Sequence, residues 1–249
     1  MMRIHRYDEV DSTQRVARAF IEDGSAINYT CVVAKRQTAG RGRRGRSWLA
    51  PEGGLFLSMC MLPFCSMKEA PRLTLGTAQG MLDTLDTLGV RARVKWPNDI
   101  VILREGGPHG RLGPFRKVGG VIVEAVRTKG DVLEACIIGV GVNVASPKDG
   151  WPEDIALTAG ALDDDGFTGS ADDVMNAIES EMPSALSRCL VAFPHTLAIL
   201  RERSATLGRR VEVEGITGEA RAIDDEGALV VVDDNGVSHT VRAGDVWLS

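Results

Sequence analysis

Apolar positions along the chain alternate between helical and strand-like spacing, and each change of period marks an element. The stretch Val10-Asp11-Ser12-Thr13-Gln14 opens a helix, with Ser12 or Asp11 as N-cap. Val16, Ala19 and Phe20 form its apolar stripe and Gly24 its stop. A short β-rich run, TCVVA (30–34), leads into a loop of arginine and glycine, and LFLSMCML (55–62) predicts the next strand. Leu75, Ala78, Leu82 and Leu85 lie at helical spacing within 73–89, which Gly89 ends. RVKWPNDIVIL (93–103) predicts strand, tight turn, strand, because Pro97-Asn98-Asp99 carries turn chemistry. REGGPHGRLGPFR (104–116) is a polar Gly/Pro loop at a hairpin tip. KVGGVIVEAV (117–126) and EACIIGVGVNV (134–144) are β-branched strands paired through a Lys129-Gly130-Asp131 turn.

After Val144 the pattern changes. Segments 171–182 and 185–203 are predicted helices, with Pro183 interrupting them. From Leu207 apolar and polar residues alternate in short runs, separated by Asp-Glu-Gly, Asp-Asn-Gly and Ala-Gly-Asp turns. That is the signature of a small antiparallel barrel of ~40–45 residues, marginal alone and therefore expected to pack on the main domain. The expectation is an α+β protein: a mixed β-sheet domain with flanking helices over residues 1–204, and a small β-barrel over 205–249.

Composition narrows the function classes. A chain of 249 residues holds one large domain, or one with a small appendage, and 44% hydrophobic with 25% charged residues is ordinary for a globular protein. A net charge of −5 and a pI near 5.5 argue against a general nucleic-acid binder. The N-terminus has no apolar signal region, and no apolar run approaches the ~20 residues of a membrane span. Five cysteines (31, 60, 65, 136, 189) without CxxC pairs indicate reduced, buried thiols and a cytoplasmic location. Four histidines (5, 109, 195, 239) lack metal-ligand spacing.

Against this acidic background, GRGRRGRSW (40–48) concentrates four arginines and three glycines in nine residues. With Lys35 and Arg36 the region 35–50 holds six cations and no carboxylate. Its target is a nucleic-acid backbone, a small phosphate or carboxylate ligand, or the protein's own acidic groups. Guanidinium groups suit bidentate recognition of such anions. Ordering each backbone residue costs ~1–2 kcal/mol, and nothing apolar within GRGRRGR offsets that, so the loop is expected to be mobile until an anion orders it. KWPND (95–99) is either a plain hairpin turn with a half-buried Trp96 or a ligand-facing one. Lys117 is either a snorkelling edge lysine or the partner of a ligand's charge. Beside it, Gly119 and Gly120 remove side chains from a strand, which often marks the close approach of a ligand or another backbone. GVGVN (139–143) repeats the device beside Asn143.

Taken together, Asp11-Ser12-Thr13, GRGRRGRSW, KWPND, RKVGGVIVE and GVGVN resemble the biotin–protein ligases (biotin–[acetyl-CoA-carboxylase] ligases), over nearly the whole chain. The resemblance implies a class II synthetase-like catalytic domain of the biotin/lipoate ligase type with a C-terminal SH3-like barrel. It implies that ATP, with Mg²⁺, activates biotin as biotinyl-5′-AMP, and that a lysine of a biotin carboxyl carrier domain then accepts the biotinyl group. By resemblance Ser12, Thr13 and Gln37 would hold the ureido ring, with Gly40, Gly119 and Gly120 lining the biotin site. Arg41 and Arg43 would close over biotin and the adenylate, with Arg44 and Arg46 on the nucleotide. Trp48 would pack on the adenine side, Asn143 would bond the adenine, Asn98 would sit near the phosphates and Asp99 near the metal. Lys117 would contact both the biotin carboxylate and the α-phosphate, and with Arg43 it would carry the catalysis.

The chain reaches its Ser-Thr-Gln segment at residue 12, leaving no room for the winged-helix domain that some of these ligases carry. The single-function form, without specific DNA binding, is therefore implied. Gln14 stands where the family usually has Asn, and the 104–116 insertion is longer than expected. Two other readings remain: a lipoate or octanoyl ligase of the same fold, and a non-catalytic RNA-binding protein using the Arg/Gly loop. Monomer and homodimer are both compatible with the sequence.

Overall fold

The computed structural model describes residues 2–104 and 110–248. Residues 105–109, the middle of the predicted 104–116 loop and including His109, lie outside the described residues. In chain order the elements are β1 (Arg3–Val10), α1 (Thr13–Glu22), β2 (Thr30–Gln37), β3 (Gly54–Met61), β4 (Cys65–Ser66), α2 (Ala70–Thr87), β5 (Arg93–Lys95), β6 (Asp99–Leu103), β7 (Phe115–Lys129) and β8 (Val132–Asn143). They continue with α3 (Ala171–Val191), α4 (Phe193–Glu202), β9 (Arg210–Val213), β10 (Ile216–Ile223), β11 (Leu229–Asp233), β12 (Ser238–Val241) and β13 (Trp247–Leu248).

The main sheet runs β1-β2-β3-β8-β7-β6-β5, with β4 paired to β8. It is mixed: β1 lies parallel to β2, and the other pairs are antiparallel. The long β7–β8 hairpin turns at Gly130, whose φ of +58° suits glycine. Alternation sorts side chains to two faces. Leu57, Met59, Ile138 and Val140 face the large core beneath α2 and α3, whereas Cys60, Ala135 and Ile137 meet Ala17 and Ile21 of α1 on the other.

Three sequence expectations are corrected. Strand β1 was not anticipated, because the charged sequence RIHRYDEV lies at a sheet edge and lacks the strict alternation of a half-buried strand. Helix α1 buries Thr13, Gln14, Ala17 and Ile21, while Val16 and Phe20 are only partly covered and Ala19 is exposed. The i, i+4 row 13–17–21 faces the sheet, and its polar first turn is buried because it borders a cleft. Pro183 does not interrupt a helix: α3 continues through it, and the break falls at Ala192, just before the Phe193-Pro194 start of α4. Met182, Ala185, Leu186 and Cys189 bury their side chains around Pro183, so packing outweighs the lost hydrogen bond, while Pro194 occupies a helix start that tolerates it.

The C-terminal strands form an antiparallel ladder in the order β12-β11-β10-β9-β13, consistent with the SH3-like description. No ladder pair joins β12 to β13 among the described residues. Its Val211, Val213, Leu229 and Val246 belong to the same core as the main sheet. Three polar bonds fasten it to the KWPND hairpin: the Trp96 indole donates to Gly227 O (2.9 Å), Trp96 N–H to Thr206 Oγ1 (3.0 Å) and Lys95 Nζ to Val246 O (3.0 Å). Trp96, at 2% exposure, is therefore a fully buried anchor rather than a half-buried turn residue.

Helices α2 and α3 meet at glycines. A Cβ on Gly76 would stand 2.4 Å from Cys189 Cβ and Sγ, and one on Gly80 would stand 2.7 Å from Met182 Sδ. Alanine at 76 would gain about 1 kcal/mol of helix propensity. Overpacking a buried contact this tight costs about 1–3 kcal/mol, so the steric cost outweighs the gain in propensity. Gly76→Ala is expected to lower the urea midpoint with an unchanged slope; a raised midpoint would show that α3 yields freely.

Candidate functional site

Beyond the N-terminus of α1, glycines interrupt the side chains of the sheet face it covers. Directly paired across β3, β8 and β7 are two rows: Ser58–Gly139–Ile122 and Phe56–Gly141–Gly120. The glycines leave an open cleft bordered by the first turn of α1, the end of β2, the Arg/Gly loop and the start of β7.

Its inner end is neutral and polar. Gln37 Oε1 accepts from Thr13 N–H (2.8 Å) and Thr13 Oγ1 (3.1 Å), and Thr13 Oγ1 also shares a hydrogen bond with Ser58 Oγ (2.8 Å). With its oxygen held twice, the Gln37 amide is fixed in orientation and its Nε2 remains as a donor. Ser12, Thr13, Gln14 and Ser58 are all buried and all border the cleft. Gln14 Nε2 is buried without a hydrogen-bond partner, as is the Trp48 Nε1 donor further out. Buried donors of this kind are normally satisfied, so both point to a ligand or water as the missing acceptor.

The outer end is cationic. Residues 40–48 close on themselves through Trp48 N–H to Gly40 O (2.9 Å) and Gly42 N–H to Arg46 O (2.7 Å). The tip carries positive φ at Arg44 (+56°) and Gly45 (+76°). A Cβ on Gly40 would stand 2.4 Å from Trp48 O, so this close approach needs glycine. The Trp48 indole lies across the bare strands, where a Cβ on Gly141 would be 2.8 Å from its ring. Lys117 Nζ stands 5.1 Å from the ring centroid, within cation–π range. Arg41 and Arg43 border the cleft. Arg43 Nη1 donates to Asn98 Oδ1 (2.6 Å) and Gly244 O (3.3 Å), and Asn98 Nδ2 is fixed by Val121 O (2.9 Å). Burial lowers the Arg43 guanidinium from its ordinary value, with Asp245 and then Asp99 opposing the shift; it stays a cation.

Asp99 lies at the base of this end. Its Oδ1 pairs with Lys117 (2.6 Å) and its Oδ2 with Lys95 (2.8 Å). Burial pushes its carboxyl up, but Lys117 and Lys95 outweigh burial and hold it well below the usual carboxylate range. The resemblance implied that Asp99 sits near a metal; here both oxygens serve lysines, and no group of three His, Cys, Asp or Glu among the described residues is arranged to hold an ion. A resident Mg²⁺ held by this carboxylate does not fit the residues as they stand.

The remaining sequence candidates sit outside the cleft lining. Arg44 pairs with Glu214 (2.7 Å) and Arg46 with Asp245 (2.5 Å), both in the C-terminal unit. The protein's own acids are thus one answer to the cationic run. Gly119 faces the opposite side from Gly120: a Cβ there would meet Gly141 O at 3.0 Å. Asn143 is buried at the end of β8, donating to Gly160 O (2.9 Å). Sequence reasoning missed Ser58 and Lys95 as site residues and noted Gln14 only as standing where the family usually has Asn. Ser58 is a lone hydroxyl in an apolar strand, and Lys95 a cation in a strand position next to a buried Trp; both signals were present.

A model of the biotin/lipoate A/B protein ligase family matches residues 7–143. The chain belongs to this family. A second model, the biotin protein ligase C-terminal domain, matches residues 206–249. The chain is 30% identical to a biotin–[acetyl-CoA-carboxylase] ligase of Mycobacterium tuberculosis over 250 residues, 96% of this chain and 86% of that one. It is also 30% identical to a bifunctional ligase/repressor of Bacillus subtilis, over 95% of this chain and 71% of the relative. A solved biotin protein ligase from Aquifex aeolicus, in complex with biotin and ATP, superposes with a TM-score of 0.79 at 26% identity and covers 100% of this chain and 99% of that one.

The ion pairs of Arg44 and Arg46 are largely exposed and screened by solvent, so each contributes little to stability. They hold the 41–46 tip of the loop, which has no apolar side chain of its own. Glu214→Gln with Asp245→Asn is expected to change thermal stability little while speeding tryptic cleavage after Arg44 and Arg46 severalfold. Cleavage at the wild-type rate would show that Gly40, Trp48 and Arg43 hold the loop by themselves.

Proposed function

We propose that this chain is an ATP-dependent biotin–protein ligase that activates biotin as biotinyl-5′-AMP and transfers the biotinyl group to a lysine of a carboxylase's biotin carboxyl carrier domain. One observation carries the reading: a single cleft joins a neutral hydrogen-bonding end (Thr13, Gln37, Ser58) to a cationic end (Lys117, Arg41, Arg43). Biotin has the same polarity, with a ureido ring at one end and a carboxylate at the other.

In this reading Ser12, Thr13 and Gln37 bond the ureido group over Gly120 and Gly139. Lys117 and Arg43 draw the biotin carboxylate and the α-phosphate together, two anions that otherwise repel. The carboxylate oxygen attacks the α-phosphorus, the bond to the β-phosphate oxygen breaks, and pyrophosphate leaves. The acceptor lysine's neutral amine then attacks the acyl carbon, losing a proton as AMP departs. Trp48 and Asn143 serve the adenine side, and Asn98 fixes Arg43. Mg²⁺ would accompany the nucleotide as a counterion of its phosphates, a usual mode for this ion. The boundary between catalytic and C-terminal units falls at 204/205 in this proposal. No described helix is long and apolar enough to cross a membrane.

Two alternatives fare worse on specific grounds. A lipoyl ring offers no N–H or C=O to the inner end, leaving buried polar groups unpaired at about 1–3 kcal/mol each. An RNA-binding loop would present its arginines freely, whereas Arg44 and Arg46 are already paired with carboxylates.

Pyrophosphate exchange into ATP tests the reading. Strict dependence on biotin is expected, and exchange with lipoate alone would replace the substrate. Lys117→Ala is expected to keep the fold and lower the exchange rate by ~10²–10³, the usual effect of removing one preorganised donor. A variant retaining more than about a tenth of the wild-type rate would remove Lys117 from its role.

A further inference from the structure

Lys95 is almost completely buried, at 4% exposure, and does not border the cleft. A buried ammonium is retained only where partners compensate its desolvation. Its partners here are Asp99 Oδ2 (2.8 Å) and Val246 O of the C-terminal unit (3.0 Å). The other oxygen of the same carboxylate holds Lys117 (2.6 Å), whose side chain is 29% exposed and borders the cleft. Two ammonium groups therefore share one carboxylate. The Lys95, Asp99 and Lys117 set carries a net single positive charge, and its exposed end is Lys117.

Without Lys95 the set would be neutral. Asp99 would pair with Lys117 alone, and the ammonium facing the cleft would be neutralised at the point where two anions must meet. We propose that Lys95 is a positioning residue for adenylation: by occupying half of Asp99, it keeps the charge of Lys117 available to the carboxylate and α-phosphate. This rests on the ligase reading. The bond to Val246 O also ties this balance to the docking of the C-terminal unit, since it fixes the ammonium on the Asp99 side of the hairpin.

A purely structural role for Lys95, as an anchor for Val246, makes a different prediction, and a pair of variants separates the two. Lys95→Met removes both the anchor and the charge. Lys95→Met with Asp99→Asn still lacks the anchor but restores the net single positive charge. In biotin-dependent pyrophosphate exchange, Lys95→Met is expected to lose about tenfold or more in kcat/KM, equivalent to one pKa unit of differential interaction. The double variant is expected to regain most of that loss while remaining as thermally destabilised as the single one. A double variant no more active than Lys95→Met, or a Lys95→Met enzyme of wild-type kcat/KM, would overturn the proposal.

A second measurement stands apart from catalysis, so that failure of the ligase reading and failure of this proposal are distinguishable. Acylation of Lys117 by acetic anhydride, followed by peptide mass spectrometry, is expected to slow in Lys95→Met, where Asp99 grips Lys117 alone, and to recover in the double variant. Unchanged reactivity in Lys95→Met would overturn the charge sharing. Absence of biotin-dependent exchange in the wild type would overturn the ligase reading instead, leaving the acylation series to decide on Lys95.

Discussion

Glycine at positions 120, 139 and 141 constrains everything else about the site. These residues lie in register on β7 and β8, on the sheet face that α1 otherwise covers. A Cβ at 139 would stand 2.8 Å from Ile122 and 3.1 Å from the Gln14 amide; at 141 it would enter the Trp48 ring, and at 120 it would meet Lys117 and Trp48 at 3.2–3.3 Å. Glycine in a strand interior loses side-chain packing and costs conformational entropy. The sheet tolerates it because the opposite face of the same strands, with Ile138, Val140 and Val121, is packed into the main core. One face stabilises the fold, and the other accommodates the cleft.

Charge is organised across the two structural units rather than within one. Main-chain oxygens of Gly244 and Val246 accept from Arg43 and Lys95, and the carboxylate of Asp245, between them, accepts from Arg46. A three-residue segment of the C-terminal unit thus touches the loop and the base of the cationic end together. Carbonyl acceptors orient cations without cancelling their charge, whereas Asp245 and Glu214 neutralise arginines that do not border the cleft. The result sorts the arginines of the 40–48 loop by partner: Arg43, at the cleft, is held by an amide oxygen and a carbonyl, whereas the charges of Arg44 and Arg46 are compensated by carboxylates.

Much of this was legible in the sequence, and the missing parts share a cause. The β-branched runs at 117–126 and 134–144 became the central hairpin, since long strands of this kind joined by Lys-Gly-Asp leave few other pairings. The turn chemistry of Pro97-Asn98-Asp99 was equally direct, and the ordered motifs from Ser12 to Asn143 brought the family into view. Edge strand β1 was illegible because its partner β2 supplies the order that its own charged sequence lacks. The helix break was misassigned because Pro183 has a strong local preference, while the buried residues on either side of it belong to a packing decision made by α2.

The site residues that escaped were those whose meaning depends on a distant partner. Ser58 looks like an interruption in an apolar strand until Thr13, 45 positions away in sequence, hydrogen-bonds it. Lys95 looks like a turn lysine until Asp99 and Val246 enclose it from both sides. Asp99 shows the converse: the family resemblance implies a metal there, and only the two ammonium groups that the fold places beside it reveal an ion-pair hub. Local preference identifies which residues carry chemistry, but the sign and availability of their charge are set by contacts between units that sequence proximity does not encode. In this protein that division falls within one pentapeptide, where Pro97 acts through local turn geometry and Lys95, Asn98 and Asp99 through the rest of the chain.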